Sequence, residues 1–218
     1  DKYKQYRILR CIKNRFGTIS EVGVFKMEDD GLVEVNSPSQ MLLNEYTQAS
    51  GASVVATLEG SRVFLHEIQA LVGSTSYTNP RRVAVGIDYN RLLQVLAVLE
   101  KKVGLNLSKQ DVYVNVVGGI DIIEPSYDLA LALSIISSIR DIPISNTTII
   151  IGEVGLLGEI RYVDNIERRL KEAYKLGFTR AIIPKVSDKT YLKIKDIGLE
   201  IKQVGKLTEA IIQGLKQE

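Results

Sequence analysis

The chain has 218 residues, of which 45% are hydrophobic and 25% charged, and its formal net charge is +2. These are the values of a globular protein with room for one large domain or for a domain plus a smaller piece. They exclude a protein that is basic as a whole, so any contact with nucleic acid must come from a local patch.

The single cysteine, Cys11, excludes an internal disulfide and a zinc ribbon within this chain and is in keeping with a reducing compartment. The sequence contains no apolar run of membrane-spanning length and opens with no signal segment. We therefore expect a cytoplasmic or plastid-stromal protein with no membrane partner. Because the chain starts at Asp1 and its first methionine is Met27, we also expect it to be part of a longer protein.

Two strands are predicted near the start of the chain, at residues 6–13 and 21–27, because apolar residues alternate there. We expect them to pair as a hairpin with the sequence KNRFG, residues 13–17, at its tip. A short strand at 32–35 follows. Ser37 is then expected to cap a helix that starts at Pro38.

The pattern changes after this helix, and we place a domain boundary between Asn44 and Gly51. Asp88 is expected to cap a long helix that ends at Gly104. The remaining pattern predicts strands at 52–58, 62–72, 112–117, 148–155, 158–163, 180–184 and 199–204, and helices at 126–139, 165–176 and 207–215. Since hairpins and helical crossovers occur together, we predict an α+β fold with a mixed sheet.

Several enzyme signatures are missing from the sequence. It contains no G-x-x-x-x-G-K-[ST] phosphate-binding loop, no G-x-S-x-G and no H-E-x-x-H, so this chain alone has no ATP-binding loop. The one histidine, His66, lies in a strand pattern with no cysteine or second histidine nearby. We therefore expect a partly buried residue of the sheet and no metal site.

Four segments together resemble a known family: KNRFG at 13–17, PRRVAVGIDYNRLLQVLAVLEKKVGL at 80–105, DVYVNVVGGIDIIEPSYDLALALSI at 111–135, and IGEVGLLGEIRYVDNIERRLKEAYKLGFTRAIIPK at 151–185. They are similar to the carboxy-terminal part of the RadA (Sms) family of bacterial and plastid DNA repair proteins. The resemblance covers essentially all 218 residues.

The resemblance implies an architecture and a set of partners. Residues 1–48 would be the terminal strands and helix of a RecA-like ATPase core, and residues 49–218 a domain like the Lon proteolytic domain. A four-cysteine zinc finger and the site for ATP and Mg²⁺ would lie in the rest of the longer protein. The family consists of ring-shaped, usually hexameric motors related to DnaB-type helicases, which drive branch migration. The implied partners are therefore single-stranded or branched DNA, a RecA-type recombinase and further copies of the chain.

The KNRFG motif consists of Lys13, Asn14, Arg15, Phe16 and Gly17. Residues two apart on a strand face the same side, so a lysine and an arginine so placed can bracket phosphate oxygens. In related helicases a similar basic hairpin reaches the nucleotide of the neighbouring subunit. The resemblance thus implies a catalytic role in trans for Lys13 and Arg15. A hairpin whose charges simply stay hydrated is the alternative.

Three arginines are candidates for contact with DNA: Arg62, Arg81 and Arg82. Together with Lys13 they could form a basic surface lining the ring, and phosphate contacts of this kind give affinity without sequence preference. A solvated loop is the alternative for Arg81 and Arg82. A further alternative is that the whole region is an oligomerisation scaffold that does not touch DNA.

A peptidase site is the other alternative raised by the likeness to Lon, whose members use a serine with a lysine as general base. The segment EPSYDLA aligns with D-G-P-S-A-G and places Ser126 at the nucleophile position. The segment DNIERRL aligns with G-G-L-K-E-K-L and places Glu167 at the lysine position, where a carboxylate is a poor substitute for an amine. We predict an inactive site, in which Ser126 serves the first turn of its helix and Glu167 forms a capping box with Asp164.

Overall fold

A computed structural model describes residues 6–10, 13, 15, 22–28, 31–35 and 48–215. The predicted helix starting at Pro38 lies outside these residues, as do Asn14, Phe16 and Gly17 of the KNRFG motif. The described strands are β1 Tyr6–Arg10, β2 Val22–Glu28, β3 Gly31–Glu34, β4 Ala52–Glu59, β5 Arg62–Ser74, β6 Arg82–Val85, β7 Gln110–Val116, β8 Thr148–Ile150, β9 Glu153–Val154, β10 Ile160–Arg161, β11 Arg180–Pro184 and β12 Glu200–Val204. The described α-helices are α1 Tyr89–Val98, α2 Asp128–Arg140, α3 Ile166–Lys175, α4 Asp188–Ile194 and α5 Leu207–Gly214.

The first three strands form an antiparallel sheet of their own, in the order β1-β2-β3. Tyr6 pairs with Lys26 and Arg10 with Val22, so the predicted hairpin is confirmed in the described residues. Lys13 and Arg15 lie between these two strands in the chain, and both are exposed.

A mixed sheet of seven strands, in the order β12-β11-β8-β4-β5-β7-β6, organises the rest of the described chain. Neighbouring strands run parallel from β12 through β4 and again between β7 and β6, whereas β4-β5 and β5-β7 are antiparallel. The predicted α+β fold with a mixed sheet is therefore confirmed.

The inner face of this sheet is covered by α1, α2 and α5, with which it forms the larger core. Helix α2 is buried on all sides from Asp128 to Ser137, as expected for a helix that is apolar around its whole circumference. Its serines are satisfied within the core, since the Ser53 and Ser134 hydroxyls lie 2.6 Å apart and Ser134 also donates to the Ile68 carbonyl. These short side chains let the helix lie close to the sheet.

The outer face is covered over only part of its width. Helices α3 and α4 pack on the residues of β4, β8 and β11 that point outward, and form a second core there. Leu65, near the start of β5, also belongs to this second core. The outward residues of β7, β6 and the second half of β5 lie beyond these helices, and Leu71 and Val85 are 67% and 49% exposed. The sequence interpretation did not include α4, whose start is marked only by the cap from Ser187 to the amide of Thr190.

The predicted helix ends are right for α1, whereas the predicted cap at the start of α3 is wrong. Asp88 accepts a hydrogen bond from the Arg91 amide at 2.7 Å. A π-helical turn, Leu99–Val103, continues α1, and Gly104 ends it with a φ of 80°. By contrast, α3 is preceded by Asn165 in the left-handed conformation, with no side-chain cap. The predicted capping box of Asp164 is therefore not formed.

His66 lies on β5 opposite Val55 and is more deeply buried than predicted, with 1% of its surface exposed. Its ring stacks on Phe64 at 6.1 Å between centroids, and Nδ1 has no hydrogen-bond partner among the described residues. Burial lowers the pKa of His66 from 6.5 to about 4, although the nearby charge of Glu124 raises it. The His66 imidazole is therefore neutral in the folded protein near neutral pH.

We expect His66 to remove about 3 kcal/mol from the free energy of unfolding as the pH falls from 6.5 to about 4. In this window the histidine of the unfolded chain takes up a proton and the buried one does not, so acid favours the unfolded state. Urea unfolding of the wild type and of His66→Phe across this range measures the effect. The variant should lose less stability on acidification, and two parallel pH curves would contradict the expectation.

Candidate functional site

A largely buried cluster of Glu124, Ser126 and Arg169, called here the arginine–carboxylate site, lies where α3 meets β4 and the turn that leads into α2. Ser126 and Arg169 are each only 1% exposed. The position of the arginine follows from the helix: Ile166, Arg169 and Leu170 share its buried face at helical spacing. A long guanidinium side chain on that face reaches across to the sheet.

Arg169 is held by hydrogen bonds from all three of its nitrogens. Nη1 donates to the Ala56 carbonyl at 2.7 Å, to the Ser126 hydroxyl at 3.3 Å and to Oε1 of Glu124. Nη2 donates to Oε2 of Glu124 at 2.7 Å, and Nε to the Asp164 carbonyl at 2.9 Å. The pair is thus bidentate, which is the strongest geometry for an arginine and a carboxylate.

The Glu124 carboxylate has further donors. Oε1 also accepts the Ser126 hydroxyl at 2.6 Å and the Leu58 amide at 2.7 Å. Burial alone would raise the pKa of Glu124, but the hydrogen bonds from Arg169 and Ser126 outweigh it and hold the pKa below its usual value. The carboxylate therefore stays charged and joins β4, the turn before α2, and α3.

The two residues that the likeness to Lon aligns with its catalytic pair do not face each other in the structure. Arg169, and not Glu167, faces Ser126; Glu167 lies on the solvent side of α3, where its Oε1 is 2.6 Å from Nζ of Lys171. This contact lowers the pKa of Glu167. Ser126 does not serve the first turn of its helix as predicted, because its hydroxyl donates to Glu124.

The chemistry of this arrangement argues against nucleophilic catalysis. A serine nucleophile needs a neutral base that takes its proton. The cation beside Ser126 is the guanidinium of Arg169, which stays protonated at any ordinary pH and cannot accept a proton. The Glu124 carboxylate accepts the hydrogen bond of the Ser126 hydroxyl, but its charge is already compensated by Arg169. The cluster is built to hold three segments together.

A second buried ion pair, between Arg91 and Asp128, was missed by the sequence interpretation. Asp128 is completely buried, and it accepts Nε of Arg91 at 2.8 Å and the Val154 amide at 3.1 Å. Burial raises the pKa of Asp128, and the Arg91 guanidinium works against that rise. The signal that could have revealed this pair is an acid in an otherwise apolar helix, which requires a partner when it is buried.

The three candidate DNA-binding arginines do not form one patch. Arg62 is the first residue of β5. Arg82 on β6 pairs with Val112 on β7, which in turn pairs with Val72 near the other end of β5. Ten residues of extended strand separate the two levels, which is roughly 30 Å. Only Arg81 and Arg82 lie together.

These two neighbours differ in what their guanidinium groups contact. Arg81 is exposed and lies over the ring of Tyr77, with Cζ at 3.8 Å from the ring centroid. Arg82 donates to the main-chain carbonyls of Arg81 at 3.0 Å, Leu107 at 2.7 Å, and Gln110. Arg82 therefore fastens the start of β6 to the start of β7, while Arg81 presents its charge outward.

Within the described ranges, no helix combines the length and the apolar composition that crossing a membrane requires.

The sequence of this chain is similar to one protein-family model and to several known proteins. A family model described as Subunit ChlI of Mg-chelatase matches residues 90–187. The chain is 49% identical to DNA repair protein RadA of Bacillus subtilis (strain 168) over 212 residues, which are 97% of this chain and 46% of that protein. It is 48% identical to DNA repair protein RadA of Synechocystis over 216 residues, which are 99% of this chain and 42% of that protein.

A third relative, DNA repair protein RadA of Listeria monocytogenes, is 49% identical over 216 residues, or 99% of this chain and 47% of that protein. The chain thus spans a little under half the length of the curated relatives it matches. Fold and site define a mixed-sheet α+β protein in which a buried serine is hydrogen-bonded to both members of an arginine–carboxylate pair. The chain belongs to the RadA family of DNA repair proteins and corresponds to its carboxy-terminal region.

Proposed function

We propose that this chain is the carboxy-terminal part of a DNA-dependent ATPase that acts in recombinational repair by branch migration. The observation that carries the proposal is its similarity, over almost its whole length, to proteins named for DNA repair. The region contributes three things to the parent motor: assembly of subunits into a ring, contact with DNA, and a basic finger that acts on a neighbouring subunit.

In this proposal residues 1–48 end a RecA-like ATPase core and residues 49–218 form the Lon-like domain. The separation of the sheets supports this division, because the three-stranded sheet ends by Glu34 and the seven-stranded sheet begins at Ala52. ATP, Mg²⁺ and the four-cysteine zinc finger belong to the remainder of the longer protein. A RecA-type recombinase is the proposed partner, and the cytoplasm or the plastid stroma the proposed location.

The basic finger is formed by Lys13 and Arg15. Their exposure in the segment that joins β1 to β2 supports it, because cations in a connection between paired strands can reach beyond their own sheet. A cation delivered to a neighbouring subunit stabilises charge that develops on a transferred phosphoryl group.

Contact with DNA is assigned to Arg81. Its exposure and its position over Tyr77 support this assignment, because Arg81 and Tyr77 place a positive charge and an aromatic ring side by side. Arg82 supports that position by fixing the main chain next to it, and Arg62 acts at a separate place on the molecule.

The Arg81→Ala variant is expected to bind single-stranded DNA more weakly and to reduce the slope of affinity against salt by about one, because one phosphate contact is lost. Fluorescence anisotropy at several salt concentrations measures the slope. Lys175→Ala is the matched control, since this lysine is a cation with 72% of its side chain exposed at the end of α3. Equal slopes for Arg81→Ala and the wild type would rule out the assignment.

The structure bears differently on the two alternative functions, a peptidase and an oligomerisation scaffold. An active Ser/Lys peptidase finds no support in the arrangement around Ser126, where the cation in contact with the hydroxyl is the guanidinium of Arg169. A scaffold role is supported by the uncovered outer face of β7, β6 and the second half of β5, and it can coexist with contact to DNA.

A further inference from the structure

The uncovered part of the outer sheet face contains a pocket of about 480 Å³, called here the sheet pocket. Its wall includes Glu67, Leu71, Val83, Val85 and Tyr113. Leu71 is 67% exposed and Val85 49% exposed, so the apolar wall is open to solvent. Its volume lies in the range of binding pockets, and exposed apolar surface of this kind marks interaction sites.

Glu67 gives the sheet pocket a chemical preference. The residue is 5% exposed, and its carboxylate accepts a hydrogen bond from the uncharged side-chain amide of Gln69 at 2.7 Å. Burial raises the pKa of Glu67. A carboxylate that is buried beside an apolar wall gains most from a cation brought in by a binding partner.

A second exposed apolar feature lies at the turn between β9 and β10, called here the leucine tip and formed by Leu156 and Leu157. These residues are 64% and 77% exposed. The turn is held in shape by Glu159, whose carbonyl accepts the Gly155 amide at 2.9 Å and whose carboxylate accepts the Leu157 amide at 3.1 Å. The leucine tip is therefore ordered before it meets a partner, which reduces the entropic cost of binding.

Cations surround the leucine tip. The Lys102 side chain lies against Gly158, and the Lys185 side chain lies against Gly205, whose carbonyl accepts the Ile160 amide at 3.0 Å. Two further exposed cations belong to the same surroundings: Arg161 on β10, which pairs with the Glu159 carboxylate at 2.8 Å, and Lys206, which pairs with Glu159 through the main chain. The carboxylates among them are those of Glu159, Glu209 and Glu153, the last opposite Arg161 in the strand pair. The apolar tip and the lysines beside it, Lys102 and Lys185, match the apolar wall and the buried carboxylate of the sheet pocket.

We propose that the leucine tip of one copy of this chain binds in the sheet pocket of the next copy, with a cation beside the tip facing Glu67. The inference rests on the proposed self-assembly and specifies its interface. Two different surfaces meet in such a contact, so it repeats head to tail and forms a closed ring when the rotation closes. DNA is disfavoured as the occupant of the sheet pocket, because its wall contains a carboxylate and neither lysine nor arginine.

The test uses one variant for each surface. Leu157→Asp damages the leucine tip and Leu71→Asp the sheet pocket, and both leucines are exposed, so the fold should be kept. Each variant alone is expected to associate about 30-fold more weakly than the wild type, as for loss of a central interface residue. Light scattering on a sizing column gives the mass, and circular dichroism checks the fold. Leu192→Asp on α4, where the side chain is 62% exposed, is the control and should keep the wild-type mass.

Mixing the two variants gives the decisive result. A Leu71→Asp chain retains its leucine tip and a Leu157→Asp chain retains its sheet pocket, so one intact contact forms between them and the mixture stops at two chains. Wild-type mass for either variant alone, or no association in the mixture, would overturn the interface. Retained mass with weaker binding of single-stranded DNA by Leu157→Asp would assign the tip to DNA instead. A wild-type chain that stays monomeric would overturn self-assembly as well, whereas an oligomer insensitive to both variants overturns this interface alone.

Discussion

Replacing Arg169 with methionine is expected to lower the free energy of unfolding by about 3 kcal/mol, because it leaves the Glu124 carboxylate, whose side chain is only 25% exposed, without its cation. Two hydrogen bonds to that carboxylate and those to the carbonyls of Ala56 and Asp164 are lost together. Methionine fills part of the space with an apolar chain, so the loss reports mainly on charge. Urea denaturation at neutral pH measures it.

Two further variants separate this effect from a general weakening of α3. Lys171→Met removes a cation from the exposed side of the same helix and should cost less than about 1 kcal/mol. The double variant Arg169→Met with Glu124→Gln should regain part of the loss, because no buried charge remains. If Arg169→Met costs no more than Lys171→Met, the arginine–carboxylate site does not brace the fold.

The same pair predicts a pH dependence with a definite sign. Arg169 helps to hold the pKa of Glu124 below its usual 4.5, so this carboxylate stabilises the fold above that pH and the contribution is lost as the pH falls through the lowered value. Arg169→Met removes the lowering. The difference in stability between wild type and variant should therefore be full at neutral pH and shrink on acidification, and a difference that grows in acid would contradict the assignment.

Replacing both Lys13 and Arg15 with alanine in the intact parent protein is expected to reduce DNA-stimulated ATP hydrolysis on the order of 10³-fold, as for other cations supplied in trans. The subunit's own nucleotide site is left untouched, so binding of ATP and the mass of the ring should persist. Steady-state ATPase rates with and without single-stranded DNA measure the effect.

Lys26→Ala is the matched control, since this lysine is a cation on β2 of the same small sheet and contacts Glu28 at 3.1 Å. The action in trans is tested by mixing the double variant with subunits whose own ATP site is disabled but whose basic finger is intact. Part of the activity should return in the mixed assemblies, because a double-variant subunit beside a neighbour with an intact finger has a complete active site. Wild-type rates for the double variant, or no recovery on mixing, would remove the proposed finger.

Local sequence was enough for the elements whose signals are local. The cap at Asp88, the glycine end at Gly104 and the β1–β2 hairpin follow from nearest-neighbour chemistry and are confirmed. Short elements were less predictable: the predicted strand 158–163 shrinks to Ile160–Arg161, and α4 was missed altogether. A helix of seven residues carries too little periodicity to stand out from its surroundings.

The sequence by itself determined the family, the α+β class and the presence of basic residues near the start. Only the tertiary structure decided which side chain faces Ser126, because Glu167 and Arg169 are two positions apart on a helix and point in nearly opposite directions. Packing of α3 on β4 buries Arg169 and leaves Glu167 in solvent. Strand pairing likewise separates Arg62 from Arg82. Such outcomes depend on contacts between residues far apart in the chain, which no local pattern encodes.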